Sequence, residues 1–212
     1  MYMYRNRAWL VLLTVVTMAM VLGCGVPVTQ QHMEQGNKYL EQGLWGNATA
    51  EYTEAIQLDP CLTLAYVNRA LAYTHMGKYE IAIADCTKAI ELDPDLAIAY
   101  SNRGGAKWGK GAYDEAIVDC TKAIELDVML ASAYIHRGMS YWVKREYDKA
   151  AADFFTAIDI DPGDAQLYYN RGYCYSKVGK VDDAISDFEQ CIAISDNPGL
   201  IYNAEIMLQR LK

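Results

Sequence analysis

The chain is short of the residues that carry chemistry. Histidine occurs three times in 212 residues, and His75 and His136 stand too far apart to share a metal ion. No His-Glu-x-x-His, Gly-rich phosphate loop or Gly-x-Ser-x-Gly occurs, so the usual marks of a metalloprotease, a phosphate-binding loop and a serine hydrolase are missing. We expect no catalytic residue, no metal and no cofactor; the chain is not expected to be an enzyme. Basic residues are in deficit, 19 against 27 acidic, giving a net charge of −8. That sign argues against nucleic acid or an anionic membrane surface as the main partner. Beyond Cys24 an odd number of cysteines remains, Cys61, Cys86, Cys120, Cys174 and Cys191, which makes no disulfide framework. Disorder is also excluded, because 52% of the residues are hydrophobic and 22% are charged.

What the chain has is repetition. Asn68-Arg69 returns as Asn102-Arg103, His136-Arg137 and Asn170-Arg171, at a constant step of 34 residues. Pro60, Pro94 and Pro162 keep the same frame, with Val128 in the vacant slot, and so do Ala55-Ile56, Ala89-Ile90, Ala123-Ile124, Ala157-Ile158 and Cys191-Ile192. A period of this size means a solenoid whose units bury their apolar faces against one another. Within residues 63–96, Leu64, Val67, Ala70, Leu71 and Tyr73 fall at helical spacing, and Tyr79, Ala82, Ile83, Cys86, Ala89 and Ile90 do so again. Gly77-Lys78 divides the two helices and Asp93-Pro94 ends the second. Cys86 and Cys120 hold the slot of Tyr52, Phe154 and Phe188, so they are expected in the core. Two acidic series share the period: Asp85, Asp119, Asp153 and Asp187, and Asp59, Asp93, Asp127 and Asp161. They are expected on solvated helix faces and helix ends.

The unit resembles the tetratricopeptide repeat, which alternates aromatic and small residues through a first helix and Ala, an aromatic, Ala and Pro through a second. Tyr134, Gly138, Tyr141, Ala150, Phe154, Ala157 and Pro162 follow that pattern, while Lys107, Cys120 and Val128 depart from it. The resemblance implies an all-α, right-handed superhelical solenoid of about five helix-turn-helix units, near 29–62, 63–96, 97–130, 131–164 and 165–198, within a domain at 32–198. Residues 199–212 are expected to form a capping helix.

The first thirty residues read differently. Arg5 and Arg7 precede an uncharged apolar run at 8–22, which as a helix spans about 22 Å, short of the roughly 30 Å hydrocarbon core. A positive start, an apolar run and small residues make a secretory signal. Val21-Leu22-Gly23-Cys24 is similar to the lipobox of bacterial lipoproteins. That likeness implies a signal peptide at 1–23, a lipid on Cys24, a tether at 24–31 and a place outside the cytoplasm on the membrane of a bacterial envelope. An uncleaved membrane anchor is the alternative. Gly25 in place of an Asp would favour an outer membrane, where the organism has one.

In the resembling family the first helix of each unit lines an inner groove. Carried over, its positions include Val67, Asn68, Leu71, His75, Asn102, Gly105, Trp108, His136, Met139, Trp142, Tyr169, Asn170 and Tyr173. The row Asn68, Asn102, His136 and Asn170 offers donors and acceptors to an extended peptide, and Trp108, Trp142, Tyr169 and Tyr173 offer large surfaces with polar tips. The alternative reading of the Asn row is a bond to a neighbouring helix. Arg69, Arg103, Arg137 and Arg171 are expected to be structural. Some eukaryotic members clamp a C-terminal carboxylate with two Lys, two Asn and an Arg; Asn37 and Asn68 match, but the basic positions fall on Met33, Ile98 and Asn102, so such a tail is not expected. The expected function is an adaptor or scaffold that binds an extended segment of a protein partner, with no nucleic acid bound. A self-associating structural lipoprotein, and hence a homo-oligomer, is the alternative, and an enzyme the remote one.

Overall fold

The computed structural model describes residues 27–211, which form eleven α-helices and no strand. In chain order they are α1 (Val28–Glu41), α2 (Trp45–Leu58), α3 (Thr63–His75), α4 (Tyr79–Leu92), α5 (Ala97–Lys110), α6 (Tyr113–Leu126), α7 (Ala131–Val143), α8 (Tyr147–Ile160), α9 (Ala165–Lys177), α10 (Val181–Ile194) and α11 (Pro198–Leu211). Helix begins at Val28, so the expected tether at 24–31 loses its last four residues to α1, where the Gln31 amide already donates to the Pro27 carbonyl. No helix among the described residues is long and apolar enough to cross a membrane. The segment holding Cys24 lies outside the described residues.

Two kinds of turn alternate. Inside each pair the chain reverses through a left-handed residue: Gly43, Gly77, Gly111 and Gly179 have φ between 70 and 88°, and Arg145 takes the same place at 63°. Between pairs an Asp ends the second helix in extended conformation, as at Asp59, Asp93, Asp127 and Asp161. Its carboxylate accepts the amide two residues on, at 2.9 Å from Cys61 and 2.9 Å from Met129, which shapes the link to the next pair.

Each pair closes on a small residue facing a larger one. Gly36 faces Tyr52, Gly138 faces Phe154 and Gly172 faces Phe188; a β-carbon at Gly36 would stand 2.6 Å from the Tyr52 ring. In the second pair Ala70 has the extra carbon, and its core partner shrinks to Cys86. Cys86 and Cys120 are buried in the core, and burial pushes both thiols up to about 12, so they stay protonated and behave as small apolar groups.

The acids of one series are not on solvated faces. Asp85, Asp119, Asp153 and Asp187 are only 4–7% exposed, because each receives two bonds from the Arg sixteen residues earlier. Arg69 donates to Asp85 through Nε and Nη2 at 2.8 Å each, and Arg103, Arg137 and Arg171 repeat the geometry on Asp119, Asp153 and Asp187. Nη1 of the first three reaches back to Thr53, Thr87 and Thr121 of the preceding pair. At the last rung Phe155 replaces the Thr, and Arg171 lies 5.5 Å over its ring. Asp119 also holds Lys107 at 2.9 Å, so the lysine standing in an aromatic slot is kept by an ion pair. Removing one partner of a buried pair costs about 3 kcal/mol or more. Asp85→Ala strands one cation and should lose about that much; Asp119→Ala strands Arg103 and leaves Lys107 only the exposed Glu115 at 3.4 Å, and should lose more. Urea unfolding followed by helical signal checks this, and equal losses would contradict it.

Candidate functional site

The first helices pack side by side, α1 on α3, α3 on α5 and α5 on α7, whereas the second helices of successive pairs have no comparable contact. The first helices therefore make the inner wall. Their free faces repeat three rows: Asn68, Asn102, His136, Asn170; Leu71, Gly105, Met139, Tyr173; and Thr74, Trp108, Trp142, Ser176.

The middle row has a gap. Gly105 stands where its equivalents carry large side chains, and a cavity of about 190 Å³ opens there, walled by Leu71, Ile135, Met139 and Trp108, with Asn102, Thr74, His75 and His136 beside them. The missing side chain also lets α5 and α7 close up. A β-carbon at Gly105 would stand 2.8 Å from the His136 ring. His136 Nδ1 donates to the Ser101 carbonyl at 3.2 Å, which leaves Nε2 as an acceptor. Burial lowers the His136 pKa, so the ring is neutral. Asn102 is 9% exposed and has no hydrogen-bond partner among the described residues. Trp108 Nε1 is sealed from solvent and is likewise unpartnered. A sealed, unmet group of that kind costs about 1–3 kcal/mol, whereas the Asn102 amide still reaches solvent. At the near rim His75 stacks flat on Trp45, 4.2 Å between ring centres.

Further along, Trp142 is 40% exposed and meets Tyr173 edge-on at 5.7 Å. Tyr147 closes on the same Tyr173 at 6.4 Å, and Lys177 Nζ sits 4.9 Å over its ring. Among the described residues no group of His, Cys, Asp and Glu is placed to hold a metal ion.

A family model described as tetratricopeptide repeat matches residues 63–96 and 165–198. A second model of the same description matches 97–127 and 131–164, and together they take in more than half of the chain. The chain belongs to the tetratricopeptide repeat family. Among solved structures, MamA protein is similar at 28% identity and a TM-score of 0.63, over 78% of this chain and 91% of that one. The first tetratricopeptide domain of Spaghetti (RPAP3), bound to the HSP90 peptide SRMEEVD, is 30% identical with a TM-score of 0.52, over 55% and 92%. YrrB, a tetratricopeptide protein with an unusual peptide-binding site, shares the fold at 22% identity and a TM-score of 0.61, over 82% and 90%. The comparison with curated proteins found no match.

Within this tetratricopeptide solenoid the expected groove residues fall into distinct groups. Asn102, Trp108 and His136 converge on one cavity, and Trp142 and Tyr173 form the aromatic group beside it. Asn68 is apart: its Nδ2 donates to Asn37 Oδ1 at 3.0 Å, an oxygen that also accepts from the Tyr52 hydroxyl at 2.7 Å. Asn170 accepts from Gln166 at 2.9 Å, and Tyr169 leans on Phe188, 5.6 Å between rings. The Asn row is thus four different environments. Val67, placed in the groove by the resemblance, is 2% exposed and packs with Tyr66, Ala89 and Ala99 in the core. Sequence reasoning passed over Thr74, although it is the register equivalent of Trp108, and over Tyr147, although Trp45, Tyr79 and Tyr113 hold the same repeat position.

Because folding holds the His136 pKa below its ordinary 6.5, the unfolded chain binds more protons as pH falls through that value. The stability linked to His136 is complete above 6.5 and declines below it. His136→Asn, the residue of the neighbouring rungs, should lose less stability than the parent between about pH 7.5 and about pH 5.5, measured by urea unfolding; parallel losses would contradict the assignment.

Proposed function

We propose that the chain is a non-catalytic adaptor of a bacterial cell envelope, held to its membrane by lipid on Cys24, which binds an extended segment of another protein in the concave groove. The observation that carries this reading is the unmet hydrogen-bonding capacity of the Asn102 amide beside the apolar and aromatic wall of the cavity. A ligand main chain supplies what this amide lacks, and a pre-formed concave surface with a few polar groups is the usual form of such a site. Peptide binding by Spaghetti and YrrB lends the reading support from the same fold. The bound peptide there, SRMEEVD, is acidic. The residues at the basic clamp positions of this chain are Met33, Ile98 and Asn102; Met33 and Ile98 pack against core clusters, so an uncharged segment suits this groove better.

The envelope part rests on Arg5, Arg7, the apolar run and Val21-Leu22-Gly23-Cys24. Acyl chains contribute about 0.8 kcal/mol per buried CH₂, and two or more anchor stably.

Two experiments check the two parts separately. Affinity capture from a cross-linked envelope fraction should recover a partner with the parent protein, and Asn102→Ala with Trp142→Ala should cut its yield by roughly tenfold or more at unchanged helical content. Capture that survives both substitutions would move the site off the groove. Cys24→Ser should shift the protein from the membrane to the soluble fraction; retention on the membrane would instead indicate an uncleaved helix.

A further inference from the structure

Repeats make absences legible. The row Leu71, Met139, Tyr173 sets what a groove position at this register carries, and Gly105 leaves it empty between two filled neighbours. The space is not taken up by collapse. His136 has moved against Gly105 but is held there by the Ser101 carbonyl, and about 190 Å³ remains. For scale, an apolar cavity of about 150 Å³ accepts benzene.

Resting on the groove reading above, we infer that this void is an anchor pocket for one large, uncharged, apolar side chain, Leu, Met or Phe, on a segment lying along the groove, with the Asn102 amide bonding the main chain beside it. Three observations select that occupant. The walls supplied by Leu71, Ile135, Met139 and the Trp108 ring are apolar, and no charged side chain lines the cavity; an inserted carboxylate or ammonium would lose its water without gaining a counter-charge. The volume is too large for Ala or Ser, which would leave most of the wall without contacts. Asn102 is nine-tenths buried, unpartnered and part of the lining, so a main chain brought alongside satisfies an amide that nothing in the described chain satisfies. Asn68 and Asn170 at the other rungs are already bonded to Asn37 and Gln166, which singles out this rung as the one with capacity left. The partner is therefore recognised by one apolar anchor at mid-groove rather than by a charged tail.

The test uses the full chain in detergent and a library of immobilised, otherwise uncharged decapeptides in which each position is varied in turn. The parent should retain peptides bearing Leu, Met or Phe at one position about tenfold better than those bearing Ala or Glu there, the worth of burying about two methylenes. Thr74→Trp and Leu71→Trp, two changes at incompletely buried lining positions, each fill the void from its rim. Both should erase that preference while circular dichroism stays as in the parent. Selection of acidic, basic or small residues at every position would overturn the anchor, and so would a Leu preference unchanged in both filled variants. If peptides bind and Asn102→Ala releases them without any apolar preference, the anchor falls and the groove reading stands. Retention of no peptide at all overturns both.

Discussion

Four buried guanidinium–carboxylate pairs fix the geometry on which the groove depends. Each joins the first helix of a unit to its second through two parallel bonds of 2.6–2.9 Å, and a planar fork bonded twice tolerates little rotation. Three of the four also hold a Thr of the preceding unit, so one side chain sets both the crossing within a pair and the stacking between pairs. Burial of such pairs is a weak source of net stability, since desolvation offsets most of the attraction. Their contribution is register: a slipped helix would leave a cation and an acid unmatched in the interior. With the second helices so held, the first helices α1, α3, α5 and α7 come side by side and present a shared inner face.

The repeating part of this was legible in the sequence because packing at close helix crossings demands small residues at a fixed period, and Gly36, Ala70, Gly104, Gly138 and Gly172 supply them. The buried acids were not. Asp85 and its equivalents read as surface charge because an acid carries no local mark of burial; only the arginine sixteen residues earlier, brought in by the turn, makes the interior tolerable for it. The groove was legible as a register and illegible as a set of roles. Asn68, Asn102 and Asn170 are identical in sequence, yet one bonds a neighbouring helix, one is nearly enclosed and unpartnered, and one is bonded within its own helix. Those differences arise from neighbours such as Asn37 and Gly105, which sit outside any single repeat.

Departures from the period concentrate near the middle of the solenoid and have physical compensations. Lys107, in a slot of tyrosines, is held by Asp119. Gly105 brings α5 and α7 together and leaves a void, and His136 rather than Asn fills the side of that void against Ser101. Phe155 replaces a threonine and gives Arg171 an aromatic face instead of a hydroxyl. Of these departures the Gly105 and His136 changes open onto the groove, beside Trp108, which is why function is placed there and not on the outer helices.

The central claim is that a partner segment lies along the first helices and engages the rung at Asn102. The most direct measurement is a nuclear magnetic resonance titration of the chain with its captured partner segment, following side-chain amide and indole N–H signals. The Trp108 indole and Asn102 amide signals should move together on binding, the amide because it gains a partner and the indole because its ring walls the filled cavity. Shifts confined to the outer helices α4, α6 and α8, with Trp108 and Asn102 unmoved, would contradict it.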